Sequence, residues 1–495
     1  MRYPLPNSRL ALLIAFALGA ISVAGFAPFY IYPIPIIALA WLFHYWNKCA
    51  TAKQAAVLGY AFGLGLFGAG IPWIYISLHD FGGMPLPMAA FSTLALCAFL
   101  SLSAAGAGWL SKQIAVPLIG APMLWVLFEW IRNWIFTGFP WLILGYSQVP
   151  YSPLAGVAPV LGVYGVSLVT AFTASLLALL VEKSMQRKIL LALVTLWVAG
   201  SLLKLIEWTK PVGAPFSVAL LQGNIAQDLK WQPEVVQRTL DSYLQLARQS
   251  GAQLTVLPET ALPMLIKEVP ADYLNQLKTL AQQNHGDLLV GAVELENGRY
   301  YNSMLSFGSA PTQTYRKSHL VPFGEFIPLK GIFGWIYRDW LNIPLTDLAR
   351  GGLDQKPLQV AGQQVAINIC YEDVFGEEIL RQLPQATLLV NASNDAWYGK
   401  SLAADQHLQI SQTRALETGR MMLRATNTGA TAIIDTHGNI LAHAPHFQAA
   451  VLEGNAQGYS GSTPYVRLGN WPVVIFSLLI LFAIFYIQWR RRKLS

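Results

Sequence analysis

Long apolar stretches dominate the first two fifths of the chain and return once near its C-terminal end. An α-helix needs about 20 residues to cross roughly 30 Å of hydrocarbon. Stretches near that length lie near 10–26, 31–47, 54–76, 88–109, 116–135, 160–181, 188–206 and 471–489. The pattern therefore predicts about eight transmembrane helices.

Between about 212 and 465 the pattern changes to short apolar runs separated by amphipathic stretches. Runs such as "FSVALLQGN" and "ATLLVNASND" indicate buried strands, and "EVVQRTLDSYLQLARQ" has the spacing of a half-buried helix. This alternation is typical of a layered α/β domain. We predict three parts: helices 1–7 in 1–211, a catalytic-sized domain in 212–465, and the last helix with a basic tail in 466–495.

The composition agrees with a membrane protein, since 54% of the residues are hydrophobic and 12% are charged, against about 25% charged residues in soluble domains. The first stretch has a second interpretation. Arg2 and Arg9 precede a short apolar run, and "SVAGFA" offers small residues, as in a secretory signal peptide. The placement of charge along the chain favours a retained helix.

With the N-terminus inside and eight crossings, twelve basic residues fall on the cytoplasmic side. They are Arg2, Arg9, Lys48, Lys53, Lys112, Lys183, Arg187, Lys188, Arg490, Arg491, Arg492 and Lys493. The opposite loops around 27–30, 79–87 and 139–158 contain no lysine or arginine. By the positive-inside rule, both termini are cytoplasmic and the α/β domain lies outside the cytoplasm.

The same twelve residues account for the basic pI of 9.1. Without them the net charge falls from +7 to −5, so the positive charge reflects topology and not a phosphate-binding surface. We therefore predict no nucleic-acid partner.

One cysteine stands in the α/β domain, in the stretch "INICYEDVFGEE". Cys49 follows the second apolar stretch and Cys97 lies within the fourth, so neither is placed to form a disulfide with Cys370. A lone cysteine is either a buried inert residue or a nucleophile. Cys370 alone does not decide between these two interpretations.

Two other ionisable residues stand at similar strand ends. Glu259 closes "LTVLPET", and Lys317 lies in "TYRKSHLVPFGEFIP", where Glu325 follows. Each alone is an ordinary exposed residue. Together with Cys370 they supply a base, a cation and a thiol, which are the groups needed for acyl transfer through a covalent intermediate.

These motifs resemble a known constellation. "LPETALP", "RKSHLVPFGEFIP" and "CYEDVFGE" are similar to the Glu-Lys-Cys set of the nitrilase superfamily. With the apolar stretches and with "LLQGNIAQDLKW", "NASNDAWYGKS" and "RATNTGATAIID", the chain resembles the apolipoprotein N-acyltransferase family, the membrane-embedded branch of that superfamily, along nearly its entire length. The resemblance implies a multi-pass helical membrane domain carrying a nitrilase-like αββα sandwich on the periplasmic side of the bacterial inner membrane.

The resemblance also implies residue roles. Cys370 becomes the nucleophile, Glu259 the general base and Lys317 the cation beside the oxyanion. Supporting active-site positions are Glu325, Tyr371, Glu372 and Trp231. Glu325 would orient Lys317 or hold it charged, and a structural salt bridge is an alternative role for Glu372.

The implied reaction is ping-pong and completes bacterial lipoprotein maturation. A phospholipid in the bilayer gives its acyl chain to Cys370, and the thioester then acylates the α-amine of a diacylglyceryl-cysteine at the N-terminus of an apolipoprotein. Two alternatives stay open: a membrane-tethered nitrilase-like amidase, and a non-catalytic scaffold or transporter.

Residues 326–345, "FIPLKGIFGWIYRDWLNIPL", are rich in large apolar and aromatic side chains. Trp335, Tyr337 and Trp340 suit a membrane-interface arm that admits acyl chains, and an ordinary core helix explains them equally well. The histidines show no metal-ligand spacing, and the α/β domain contains no phosphate-binding glycine loop. We therefore predict no metal and no nucleotide cofactor.

Overall fold

The structure is a computed structural model that describes residues 8–114, 116–181, 185–328, 331 and 347–494. The chain divides into two compact units. The first comprises Met1–Pro72, Ala90–Ile206 and Arg467–Ser495, and the second comprises Trp73–Ala89 and Glu207–Val466. The α/β unit therefore includes a short segment from the N-terminal half of the chain.

The helices of the described residues are numbered in chain order. They are α1 Arg9–Ser22, α2 Pro33–Lys48, α3 Ala52–Gly70, α4 Trp73–Ile76, α5 Leu86–Ser111, α6 Pro117–Arg132, α7 Ala158–Val181, α8 Gln186–Leu203, α9 Pro233–Gln249, α10 Ala271–Gln283, α11 Gly376–Ile379, α12 Ala403–Thr418, α13 Pro464–Leu468 and α14 Trp471–Leu494.

The strands are numbered in the same way. They are β1 Thr209–Gln222, β2 Leu254–Val256, β3 Leu262–Leu265, β4 Asp287–Glu296, β5 Arg299–Gly308, β6 Thr314–Arg316, β7 Leu358–Val360, β8 Gln363–Ile369, β9 Leu388–Ser393, β10 Met422–Thr426, β11 Ala432–Ile434, β12 Ile440–His443 and β13 Ala450–Gly461.

Within the described residues, four segments are long and apolar enough to cross a membrane. They are Leu86–Ser111, Pro153–Val181, Gln186–Leu203 and Trp471–Arg491. A fifth span arises if Ala52–Gly70 and Trp73–Phe81, which are bent by 51° relative to each other, cross as one. The predicted number of about eight spans is therefore not reached by this criterion.

The remaining predicted segments form helices that are too short for a full span. α1 has 14 residues, and α2 and α6 have 16 each, which at 1.5 Å per residue gives about 21 to 24 Å of helix. Pro33 and Pro117 each begin one of these helices, and proline favours such a first-turn position.

Glycines allow two helices of the first unit to approach closely. Gly19 of α1 lies against the carbonyl of Phe62, and Gly65 of α3 lies against that of Phe16, so neither position has room for a Cβ atom. Small residues at such contacts are typical of membrane helices, where close van der Waals packing drives association.

Two sheets form the second unit. The first has the strand order β13-β1-β2-β4-β5-β6, with β3 also paired to β4, and the second has the order β12-β11-β10-β9-β8-β7. At their centres β1, β2 and β4 are parallel, as are β8, β9 and β10. Central parallel strands are covered on both faces, and all six residues of β9 are buried.

The core between the sheets is apolar. The first sheet contributes Val218, Val256 and Leu289, and the second contributes Ile367, Val390 and Leu423. On the outer face of the first sheet lie α9 and α10, and on the outer face of the second lies α12. The order helix, sheet, sheet, helix is the αββα sandwich that the resemblance implies.

The segment 73–89 packs against this sandwich. The indole N–H of Trp73 donates to Gln406 Oε1 over 3.2 Å, and its ring meets that of Tyr398 edge-on, with centroids 4.7 Å apart. Phe81 meets Trp397 in the same manner at 6.3 Å. Nothing in the hydrophobic pattern indicates this association.

Candidate active site

Cys370 directly follows β8 and begins the short 3₁₀ turn Cys370–Val374. Its φ is +52°, a left-handed conformation that is uncommon for residues other than glycine. From the neighbouring strand β9, Asn391 Nδ2 donates to the carbonyl of Cys370 over 3.1 Å. A buried side chain on a strained turn at a strand end is an arrangement that clusters at functional sites.

A buried lysine lies between two carboxylates near this turn. Lys317 follows β6 directly, and its Nζ is 3.1 Å from Glu259 Oε1 and 2.9 Å from Glu325 Oε1. Asn302 Nδ2, from β5, donates to the same two oxygens over 2.7 and 3.0 Å. One ammonium and one amide therefore hold both carboxylates in place.

Glu259 and Lys317 are both charged, because each stabilises the ionised form of the other. Burial opposes ionisation of Glu259, but Lys317, the hydrogen bonds from Asn302 and Lys317, and the charge of Lys230 hold the pKa of Glu259 below its usual value. Burial also opposes the charge on Lys317, yet Glu259 and Glu325 raise the pKa of Lys317 well above its usual value. Glu259 is therefore a carboxylate that can accept a proton.

Unlike Glu259, Cys370 is held in its neutral form. Burial, followed by the negative charge of Glu259, raises the pKa of the Cys370 thiol far above its usual value, and Lys317 opposes this only in part. The thiol is therefore protonated at neutral pH. Since the thiolate is the reactive form, attack by this sulfur would require a base to remove the proton, and Glu259 is the carboxylate whose charge acts most strongly on this thiol.

Glu372 connects the turn of Cys370 to the loop after Lys317. Its Oε2 accepts from the N–H of Ile369 over 2.7 Å, and its Oε1 accepts from the N–H of Ser318 over 2.6 Å. The hydroxyl of Tyr315 donates to both oxygens over 3.1 Å. These donors are all neutral. The described contacts of Glu372 are therefore hydrogen bonds and not the salt bridge that was the alternative role.

Of the aromatic candidates, Tyr371 is buried and meets Phe375 edge-on at 5.2 Å. Trp231 is partly buried and follows Lys230 in the connection between β1 and α9. The three arm residues, Trp335, Tyr337 and Trp340, lie outside the residues that the structure describes.

A second buried network of charged side chains includes Asp373, which lies in the same turn as Cys370. His407 of α12 has Nε2 at 2.7 Å from Asp373 Oδ1 and Nδ1 at 3.0 Å from Asp395 Oδ1. Carboxylates only accept hydrogen bonds, so both ring nitrogens donate and the ring is an imidazolium. Arg424 bridges the same pair, with Nη1 3.2 Å from Asp373 Oδ2 and Nη2 3.0 Å from Asp395 Oδ2. Two cations thus balance two anions.

Sequence reasoning missed these supporting residues. His407 has no metal-ligand spacing to another histidine in the sequence, and Asn302 lies in "YYNSMLSF", a run that indicates only a strand. The available signal was polar residues inside otherwise apolar strands, since Asn302 in β5 and Arg424 in β10 are fully buried and buried polar groups require partners.

All three cysteines are free and buried. In the part of the chain that the structure describes, no group of three or more histidine, cysteine, aspartate or glutamate residues is arranged to hold a metal ion.

Comparison with known proteins defines the class first. The carbon-nitrogen hydrolase family matches residues 217–465, which contain the α/β sandwich with Glu259, Lys317 and Cys370. The apolipoprotein N-acyltransferase N-terminal domain matches residues 18–176. The helical part thus matches the N-terminal domain of the apolipoprotein N-acyltransferases, and the sandwich matches the carbon-nitrogen hydrolases.

Relatives extend the match along the whole chain. It is 54% identical to apolipoprotein N-acyltransferase of Nitrosomonas europaea, over 96% of this chain and 97% of the relative. Proteins of the same name from Chromobacterium violaceum and Methylococcus capsulatus are 45% and 42% identical, over 98% and 94% of this chain and 96% and 94% of theirs. The chain therefore belongs to the apolipoprotein N-acyltransferase family, which confirms the predicted resemblance.

Proposed function

We propose that this chain N-acylates lipoproteins by carrying an acyl group from a phospholipid on Cys370. It is an acyltransferase of the family to which it belongs, and the donor, the triad and the thioester are the further content of the proposal. The observation that carries the proposal is the buried Lys317 shared by Glu259 and Glu325, in a domain where the thiol of Cys370 needs a base.

In the first half-reaction, the Glu259 carboxylate takes the proton of the Cys370 thiol as the sulfur attacks the ester carbonyl carbon of the phospholipid. The carbonyl π electrons move to the oxygen, and Lys317 stabilises this oxyanion, a contact worth about 3 to 4 kcal/mol per donor in other enzymes. Collapse breaks the C–O bond, Glu259 returns the proton to the leaving alkoxide, and a lysophospholipid leaves.

In the second half-reaction, the neutral α-amine of the diacylglyceryl-cysteine attacks the thioester carbon. Glu259 takes a proton from the attacking nitrogen, the C–S bond breaks, and the amide product leaves. The proton then passes from Glu259 to the sulfur, which restores the thiol and the carboxylate. Lys317 again lies beside the oxyanion, so one set of residues serves both steps.

The supporting residues position this machinery. Glu325 holds Lys317 charged, and Glu372 fixes the Cys370 turn to the loop that carries Lys317. Tyr371 and Trp231 contribute aromatic surface for the lipid substrates. The segment with Trp335, Tyr337 and Trp340 acts as an arm at the membrane interface, where amphipathic aromatic residues are favoured.

The placement in the cell belongs to the same proposal. The helical part spans the inner membrane with both termini in the cytoplasm, the domain at about 212–465 faces the periplasm, and the partners are the phospholipid, the apolipoprotein and the bilayer. The distribution of lysine and arginine along the chain supports this orientation.

Intact-mass spectrometry tests the chemistry. The purified protein is incubated with a phospholipid of defined acyl chains, beside Cys370→Ser and Glu259→Gln. We expect the wild type to gain one acyl mass that hydroxylamine removes, no adduct on Cys370→Ser, and formation slowed by about 100-fold or more in Glu259→Gln, the usual size of general-base effects. A diacylated peptide with a free N-terminal amine should then discharge the adduct.

The two alternatives give different results in the same experiment. An amidase would release ammonia from a small amide and form no acyl adduct from phospholipid. A scaffold would leave Cys370 unmodified by every substrate. Either result would overturn the proposal.

A further inference from the structure

Lys230 is a second buried lysine of the α/β unit to which the proposed reaction gives no role. Only 2% of its surface is exposed. Its Nζ is 2.6 Å from the hydroxyl of Thr260 and 3.3 Å from the carbonyl oxygen of Glu259. The ammonium therefore binds the main chain of the general base and the side chain of the next residue.

The turn that Lys230 binds is strained. Thr260 has φ +45°, and for a β-branched residue a positive φ is a genuine outlier. Such conformations persist only where surrounding contacts enforce them, and they cluster at active sites. The hydrogen bond from Lys230 to the Thr260 side chain is a contact of this kind, and it fixes the direction in which the neighbouring Glu259 leaves the strand end.

The positive charge of Lys230 also neutralises the net charge of the three groups around Lys317. Lys317 is shared by Glu259 and Glu325, so these three groups together carry one net negative charge. Lys230 cancels that charge. Without it, a thiolate or an oxyanion at Cys370 would form beside a site that is already negative, which nearby like charge disfavours.

We propose that Lys230 is a positioning residue for acyl transfer, which holds the strained Glu259–Thr260 turn and supplies the second positive charge acting on Glu259 and Cys370. The inference rests on the proposed function, because it concerns the same site. It adds to the Glu-Lys-Cys set a cation that acts through Glu259 without touching the ester.

The protonation of Lys230 makes the inference testable. Burial lowers the pKa of Lys230 to about 8, against the opposing effect of Glu259 and Cys370. The pKa of Glu259 lies below its usual value and that of Cys370 far above its own, and Lys317 stays charged because its pKa is raised. As pH rises through about 8, Lys230 is therefore the charged group of this set that loses its charge.

The test measures the rate of Cys370 acylation by a defined phospholipid in detergent micelles between pH 6 and 9.5, by intact mass. Lys230→Met removes the positive charge and the hydrogen bonds to the Glu259–Thr260 turn. Lys230→Arg retains a charge that does not titrate in this range. Thr260→Val removes the hydroxyl while keeping the shape of the side chain. Lys278→Met, at an exposed lysine of α10, is the matched control.

We expect the wild-type rate to fall as pH rises through about 8, and the Lys278→Met control to follow it. Lys230→Met should be slower by about tenfold or more at pH 7 and lack this fall. Lys230→Arg should recover part of the rate and also lack the fall. Thr260→Val should lose severalfold in rate yet keep the wild-type midpoint, because its Lys230 still titrates.

Two results would overturn the inference: a Lys230→Met rate and pH profile equal to those of the control, or a wild-type rate that does not fall between pH 7 and 9. If Lys230→Met does not yield folded protein by gel filtration, the wild-type profile and Thr260→Val still decide. A wild type without any acyl adduct would reject the proposed function itself, which separates the two failures.

Discussion

Cys370, the proposed nucleophile, has surroundings that oppose its own ionisation. Many reactive cysteines lie next to cations that lower their pKa. Here burial and Glu259 raise the pKa of Cys370, and Lys317, which is shared by two carboxylates, compensates only in part. In the proposed reaction the proton therefore leaves as the ester is attacked, and the resting thiol is protected from reactions that need a thiolate.

This arrangement predicts opposite effects of one substitution. Glu259→Gln removes the base, so acylation by phospholipid should fall by about 100-fold or more. It also removes a negative charge that raises the pKa of Cys370, so a larger fraction of the thiol is ionised at a given pH. Alkylation of Cys370 by iodoacetamide at pH 8 should therefore become several times faster. Mass spectrometry of the Cys370 peptide measures both rates.

Glu268→Gln is the matched control for this comparison, because Glu268 is exposed in the same α/β unit. Both of its rates should equal those of the wild type. If Glu259→Gln slowed alkylation and acylation equally, the negative charge of Glu259 would not be what raises the pKa of Cys370, and the protonated resting state would have to be abandoned.

At the scale of elements, the buried network of His407, Arg424, Asp373 and Asp395 joins four pieces of the sandwich. It connects helix α12, strand β10, the turn that begins at Cys370 and the 3₁₀ turn Asp395–Tyr398. Because Asp373 and Cys370 share one short turn, the network fixes the strained turn of Cys370. Removing one partner of a buried ion pair costs about 3 to 5 kcal/mol, since the other charge stays buried.

His407 gives the network a pH dependence with a definite sign. Burial and Arg424 lower the pKa of His407, but the two aspartates outweigh them and hold it above the usual 6.5. Its contribution to the free energy of unfolding is therefore complete below pH 6.5 and is lost as pH rises through the raised pKa. We expect His407→Gln to unfold at a lower temperature, by a margin that is largest at pH 6 and narrows towards pH 9.

Thermal unfolding followed by tryptophan fluorescence in detergent checks this expectation, through the difference between variant and wild type at each pH. The matched control is His437→Gln, since His437 is 38% exposed where it meets Glu207 at 3.1 Å and exposed pairs contribute little. Because the pKa of His407 is raised, a His407→Gln difference that grows as pH rises from 6 to 9 would mean that His407 is not the imidazolium assigned to it.

The sequence predicted the parts of the site that stand at strand ends. Glu259 and Cys370 each follow an apolar run, and Lys317 follows the short strand β6. Lys317 pairs with Glu259, and the charges of both act on Cys370. Lys230, Asn302 and Arg424 were not predicted, because a polar residue within a connection or a strand gives no sign of its partner. Their partners are set by tertiary pairing, such as Arg424 on β10 with Asp373 after β8.

At the scale of the whole molecule, the apolar runs predict where the helices lie better than they predict how many helices cross the membrane. Each predicted run contains a helix, but α1, α2 and α6 are too short to span by length alone. The run at 54–76 is predicted as one helix, and the structure bends it by 51° between Gly70 and Trp73. Beyond that bend, Trp73 and its neighbours pack on the α/β unit, a tertiary preference that hydropathy does not encode.

The proposed orientation predicts where introduced cysteines are labelled. The three native cysteines are buried, so a membrane-impermeant maleimide should label the wild type weakly. Lys278→Cys in the α/β unit and Arg491→Cys near the C-terminus replace exposed residues. If lysine and arginine mark the cytoplasmic side, intact spheroplasts should label Lys278→Cys, whereas Arg491→Cys should react only after permeabilisation. The reverse pattern would invert the topology, and it would place Cys370 on the side of the membrane opposite to exported lipoproteins.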